Sequence, residues 1–187
     1  SIMRAGAAAA ESGVLVTFPN QETRRLAPGP SSIISQAVIE VFAKTFLDKP
    51  AVLWLSESGN KVVARDDQLA NAIGLRIAAD RNLPDLILAD LGPANPLIVF
   101  VEVVATDGAI TQRRQEALFA LTDEAGFDRK QVVFVTAYQD RETAGFRKTL
   151  AQLAWGSLAW FVSESDKIVI LRNGETVLER LTNVIVS

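Results

Sequence analysis

Two acidic residues stand out by the company they keep. Asp85 follows Leu83-Pro84 and opens the run Leu86-Ile87-Leu88-Ala89-Asp90. Glu102 interrupts the run from Leu97 to Val104, in which seven of eight residues are apolar. Between the runs lies Leu91-Gly92-Pro93-Ala94-Asn95-Pro96, a loop dense in turn residues, so an antiparallel hairpin is the simplest reading. If Asp90 pairs with Leu97, then Asp85 and Glu102, each five residues further from the turn, face one another on the same side of the sheet. Cβ atoms of opposed residues lie roughly 4.5–5.5 Å apart, where two negative charges destabilise the pair unless a positive charge sits between them. A divalent cation meets that need, and it also relieves the cost of an ionised carboxylate inside an apolar strand. The alternative is plainer: Glu102 sits where the strand end opens to water and Asp85 caps a loop. A one-residue bulge would also break the register.

The rest of the composition narrows the chemistry. The 187 residues contain no Cys and no His, which removes disulfides, the usual zinc ligands, thiol nucleophiles and imidazole bases. Catalysis would have to run on carboxylates, Lys, Arg, Tyr or hydroxyls, and hard oxygen ligands select Mg²⁺ or Mn²⁺. With 49% apolar and 22% charged residues and a mean hydropathy of +0.19, the chain can cover one core. Its apolar runs are too short to cross a bilayer, so the expectation is a soluble, cytoplasmic protein without membrane partners.

These acids need elements to position them. Residues 1–30 read as an N-terminal arm or linker, Ala-rich at first and then charged around Pro28-Gly29-Pro30, with Val14 to Phe18 as a short edge strand. From Pro30-Ser31-Ser32, the apolar spacing of Ile33, Ile34, Ala37, Val38, Val41 and Phe42 predicts an amphipathic helix with a Ser cap, ending before Pro50. Ala51 to Leu55 reads as a strand leading into the turn Ser56-Glu57-Ser58-Gly59-Asn60, and Asp66 to Gly74 as a short helix. Beyond the hairpin, Thr111 to Ala125 is helical with Gly126 as its stop, and Val132 to Tyr138 is a buried strand. Residues 143–154 are helical, and Leu158 to Val162 and Lys167 to Leu171 form a terminal strand pair before an Asn173-Gly174 turn. Helices alternating with strands around one hairpin predict an α/β fold, a mixed central sheet flanked by helices.

The longer text carries a resemblance. Leu83-Pro84-Asp85, then Glu102 after sixteen intervening residues, resembles the PD-(D/E)XK nuclease pattern. Phe100-Val101-Glu102-Val103-Val104-Ala105-Thr106-Asp107-Gly108, Arg113-Arg114, Val135-Thr136-Ala137-Tyr138 with Asp140-Arg141, Ala154-Trp155-Gly156-Ser157 and Trp160-Phe161 follow in order. Together they resemble the catalytic domain of the BsuBI/PstI restriction endonucleases, from about Ile33 to Leu171. The resemblance implies a restriction-endonuclease-like core over residues 31–187, a type II site-specific deoxyribonuclease acting on double-stranded DNA within restriction-modification. It further implies Mg²⁺ held by Asp85, Glu102 and the backbone carbonyl of Val103. A homodimer would supply two active sites for a two-fold symmetric target. The opening Ser1-Ile2-Met3-Arg4 reads as a domain excised from a longer protein with an upstream DNA-recognition region. Alternatives are a repair or junction nuclease of the same fold, and an inactive module that only binds DNA or a partner.

One departure is plain. The wider group usually has Lys two residues after the Glu, and here Val104 stands there. The cationic helper must come from elsewhere, and Arg113 at the start of the next helix is the preferred candidate, ahead of Arg114 and well ahead of Lys61, Arg76 and Arg81. Glu40, on the polar stripe with Gln36 and Lys44, is either a water-mediated aid to the metal or an ordinary solvated charge. Asp107 or Thr111 is expected to cap the following helix. Tyr138, Asp140 and Arg141 either touch DNA or brace a loop. Trp155 and Trp160 are expected in core or interface packing, and the doublets Arg24-Arg25, Arg129-Lys130 and Arg147-Lys148 on solvated faces. The net charge of −3 runs against a nucleic-acid binder unless cations gather on one face.

Overall fold

Residues 12–57, 61–78, 82–174 and Arg180 are described by the computed structural model. The expected arm at 1–11, the turn at 58–60, Arg81 and most of the tail after Gly174 lie outside them. The hairpin forms the middle of the molecule: β5 (Leu86–Asp90) pairs antiparallel with β6 (Leu97–Val104), with Asp90 opposite Leu97 and Leu86 opposite Val101. The register derived from the turn is the one observed.

Around this hairpin a seven-stranded mixed sheet runs in the order β4-β3-β5-β6-β7-β8-β9. On one side lie β3 (Pro50–Glu57) and β4 (Lys61–Arg65), both antiparallel. On the other, β7 (Val132–Tyr138) and β8 (Leu158–Phe161) run parallel to β6, and β9 (Ile168–Ile170) closes the sheet antiparallel. No helix among the described residues is long and apolar enough to cross a membrane.

The two faces of β6 divide the core by parity. Val99, Val101 and Val103 pack with Ile34, Val38 and Phe42 of the first helix. Ile98 and Phe100 pack with Leu118 and Phe134 on the opposite face, and Glu102 shares their side by alternation. That first helix is α1 (Pro30–Ala37), continued through a π-helical turn (Val38–Phe42) into α2 (Ala43–Phe46). The opposite face carries α3 (Asp67–Ala72) and α4 (Gln112–Glu124), while α5 (Ala144–Thr149) lies near the ends of β6 and β7. Thr111 caps α4 by accepting a hydrogen bond from the Arg114 amide at 3.1 Å, and Gly126 takes the positive φ of 83° that ends it.

Several expectations need correction. The short strand read at Val14 to Phe18 forms as β1 (Val14–Thr17), but the stretch after it is no linker: β2 (Thr23–Leu26) pairs with β1 antiparallel, and Val16, Phe18 and Leu26 belong to the core on the α1 face. With Thr23-Arg24-Arg25-Leu26 offering one apolar residue, β2 has too little alternation to be read as a strand. The Ser cap is also absent, because the N-cap is Gly29 at φ 147° with Pro30 as the first helical residue. Leu83 to Asp85 precede the strand, which begins only at Leu86. Trp160 fills the core, edge-on to Phe42 at 5.4 Å, whereas Trp155 is 61% exposed.

The end of the hairpin is fixed by a buried acid. Asp90 accepts from the amides of Asp48 (3.0 Å), Lys49 (2.9 Å) and Gly92 (3.0 Å), joining the entry to β3 with the β5–β6 turn. Burial pushes its carboxyl up, but the Lys49, Asp48 and Gly92 amides together outweigh that and hold it below the ordinary 3.8. A depressed carboxylate stabilises the fold above its unfolded pKa and loses that contribution as pH falls through its folded value. Asp90→Ala is therefore expected to lower urea-unfolding stability by about 3 kcal/mol at pH 7, the gap from wild type narrowing below pH 3.8.

Candidate active site

Asp85 lies one residue outside β5, in a segment whose backbone is committed to β3. The Pro84 carbonyl accepts from Trp54 Nε1 at 3.1 Å, and the Asp85 carbonyl accepts from the Ser56 amide at 2.9 Å. With its main chain held on that side, the Asp85 side chain turns toward β6, where Oδ2 accepts from the Val103 amide at 2.7 Å. In an extended strand the N–H and C=O of one residue point to the same side, so the Val103 carbonyl also faces the end of β5.

Glu102 is the most perturbed acid of the site. It is 8% exposed, and the Asp85 carboxyl approaches it within hydrogen-bonding reach. Burial first, and the negative charge of Asp85 second, push its pKa up to about 8, although Arg114 opposes both. Arg114 Nε donates to Glu102 Oε1 at 2.7 Å, and Nη1 donates to the Asn82 carbonyl at 2.6 Å. One guanidinium thus clamps the carboxylate of β6 to the segment that leads into Asp85.

The preferred helper, Arg113, does not reach the pair. Successive helical residues are turned by about 100°, so Arg113 is exposed while Arg114 shares the inward face with Leu118 and Thr122, four and eight positions on. That phase was the signal available in the sequence. Val104 is buried beside Tyr138 and Phe161, where α5 crosses the end of β6. A Cβ on Gly145 of that helix would lie 2.9 Å from the Ala105 carbonyl oxygen. So close a crossing leaves an apolar slot and no route to solvent for a Lys at 104.

The following candidates fall away from the pair. Glu40 Oε1 accepts from the Thr17 amide at 3.0 Å and, with Gln36 donating to the Leu15 carbonyl at 2.9 Å, binds β1 to the first helix. Tyr138 is buried with its hydroxyl 2.7 Å from Thr149 Oγ1. Asp140 accepts from the Glu142 amide at 2.8 Å and Arg141 pairs with Glu164 at 2.9 Å, so both brace a loop. Arg24 pairs with Glu22, and Arg129 with Asp123, while Arg147 and Lys148 are exposed.

Among the described residues no three His, Cys, Asp or Glu gather into a metal cage. The donor set at this site is two carboxylates and a backbone carbonyl, all hard oxygens, in an acidic pair with one cationic partner, Arg114, among the described residues. That shortage of positive charge is the property that fits Mg²⁺ or a similar ion with water in its remaining positions.

Comparison with known proteins agrees with this architecture. Residues 14–175 match the BsuBI/PstI restriction endonuclease domain. The type II restriction enzyme BsuBI of Bacillus subtilis is 24% identical over 149 residues, covering 80% of this chain and 45% of that enzyme. The structure of the SdaI restriction endonuclease superposes with a TM-score of 0.76 at 23% identity, covering 96% of this chain and 54% of SdaI. The chain therefore spans about half the length of each of these relatives, and the SdaI likeness establishes the fold.

Proposed function

The chain belongs to the BsuBI/PstI restriction endonuclease family, and from that premise we propose that it carries the catalytic centre for Mg²⁺-dependent hydrolysis of phosphodiester bonds in double-stranded DNA. The site cut is short and specific, as in type II restriction, and a homodimer supplies one centre per strand. The observation that supports this reading is the meeting of Asp85 and buried Glu102 at the open end of the hairpin, with Arg114 as their counter-charge. The catalytic unit includes the β1–β2 hairpin ahead of residue 31, whose side chains share its core.

Asp85, Glu102 and the Val103 carbonyl are the groups that would hold the ion. When bound, Mg²⁺ supplies Lewis-acid stabilisation of charge on the phosphate and acidifies a water for attack. Arg114 keeps the Glu102 carboxylate aimed by its Nε bond and keeps the Asp85 segment in place through Asn82. Its guanidinium has further N–H donors, which are offered to a non-bridging phosphate oxygen, the duty left open by Val104.

Plasmid DNA incubated with the full-length protein and Mg²⁺ should give discrete fragments. A continuous smear would favour a repair-type nuclease, and intact plasmid together with no Mg²⁺ binding would favour the inactive module. The pH dependence of metal binding is a separate prediction. Glu102 must lose its proton to become a ligand, so Mg²⁺ affinity should rise by up to about tenfold per pH unit until the pH passes about 8, then level off. Calorimetry in buffers of different ionisation enthalpy should show about one proton released per ion at pH 6.5 and progressively less above pH 8; release that does not vary with pH would contradict the assignment.

A further inference from the structure

The wall of the Asp85 pocket formed by α1 plays no part in the mechanism above. Gly29 brings no side chain to cap the helix, and Pro30 has no N–H to offer. The next two amides, those of Ser31 and Ser32, belong to the first turn and make no hydrogen bond to any described residue. Their side chains and that of Ser35 border a cleft of about 250 Å³ whose opposite side is Asp85 and Val103.

Ser32 is 8% exposed and Ser35 5%, yet neither hydroxyl has a partner among the described residues. Helical hydroxyls elsewhere in the chain do not stay idle: Thr45 and Thr149 each bond to the carbonyl four residues back at 2.8 Å. Buried donors left unpaired are uncommon because each carries a desolvation penalty. Here two of them point into the same space as two free amides at the positive end of a helix dipole, a donor set suited to a tetrahedral oxyanion.

We infer that this cleft binds a phosphodiester of the DNA backbone neighbouring the bond that is cut. The inference rests on the nuclease reading for its substrate, but the donor set stands independently of it. Glu57, whose carboxylate accepts from the Ala27 amide, also borders the cleft. Its negative charge selects a singly charged diester over a phosphate monoester, which carries about −1.5 to −2 at pH 7.

The test is a titration of the full chain with dimethyl phosphate, followed in amide NMR spectra at constant ionic strength. Saturable shifts at the Ser31 and Ser32 amides are expected, with the midpoint raised about tenfold or more in S32A/S35A, as for hydrogen bonds to a charged acceptor. Glu57→Gln should narrow the preference for dimethyl phosphate over inorganic phosphate. In metal-free buffer, a DNA duplex scanned with single methylphosphonates should reveal one position whose neutralisation weakens binding to wild type but not to S32A/S35A. Absent shifts, shifts that do not saturate, or equal midpoints in wild type and a folded S32A/S35A would overturn the inference. Cleavage that needs Asp85 beside a silent cleft would overturn it while leaving the nuclease reading intact. The expected shifts in a protein that never cuts DNA would instead remove the nuclease reading and keep the diester cleft.

Discussion

Asp85→Asn and Glu102→Gln are each expected to reduce plasmid cleavage by about a thousandfold or more, the scale seen when one preorganised electrostatic group is removed from a transition state. Both substitutions preserve shape. The side-chain amide introduced by Asp85→Asn can still present an oxygen to the Val103 N–H, so the hairpin end should fold as before, and far-ultraviolet spectra and melting should stay close to wild type. Glu102→Gln should even raise the stability of the metal-free protein at high pH. The raised pKa of Glu102 means that its contribution is fully present below its ordinary 4.5 and is lost as pH rises through about 8, and a neutral amide has no such loss. The pairing of lost cleavage with unchanged or improved stability separates a functional acid from a structural one. Cleavage that persists in either variant would remove that acid from the mechanism.

Removing Arg114 should do the opposite to stability. In Arg114→Met, Glu102 loses its counter-charge and the Asn82 segment loses its tie. At pH 6 Glu102 is protonated in both proteins, and the loss is limited to hydrogen bonds, about 1 kcal/mol. At pH 9 wild-type Glu102 is mostly ionised and paired, whereas the variant must strand a buried charge or hold its proton against the solvent. Because wild-type Glu102 itself holds its proton up to a pH of about 8, the further loss by pH 9 is bounded at about 1.4 kcal/mol, a total of about 2–3 kcal/mol, or about 5–10 °C in melting temperature for a domain of this size. Adding Glu102→Gln to Arg114→Met should abolish the pH dependence. Arg113→Met, on the exposed neighbour, should stay within about 0.5 kcal/mol of wild type at both pH values. Equal destabilisation by the two arginine variants would contradict the clamp.

The hairpin was legible because two kinds of information agree there. The turn residues from Leu91 to Pro96 fix where the chain reverses, and the apolar runs on either side fix which residues are buried, so the Asp90–Leu97 pair and everything counted from it follow. The choice between adjacent arginines was less legible, since it depends on where the helix begins. Capping by Thr111 sets that phase, and a sequence alone leaves Asp107 as a rival cap. Glu40 illustrates a deeper limit: it lies in a π-helical turn, which shifts the face that a regular helix would present, and its oxygen meets the Thr17 amide of β1, 23 residues away in the sequence. The serine cleft depends on the approach of the start of α1 to Asp85, just ahead of β5, segments more than fifty residues apart. Serines read as cap candidates gave no hint that Gly29 would take the cap position and leave their own donors without a partner among the described residues.

Reciprocity between the two strands is the core of the account, and the most direct measurement of it is anomalous diffraction from crystals of the chain soaked in Mn²⁺. A single strong peak is expected at the end of the hairpin, about 2 Å from a carboxylate oxygen of each of Asp85 and Glu102 and from the Val103 carbonyl, and it should vanish in Asp85→Asn. A peak bound to one carboxylate alone, a peak elsewhere, or a site that survives Asp85→Asn unchanged would contradict it.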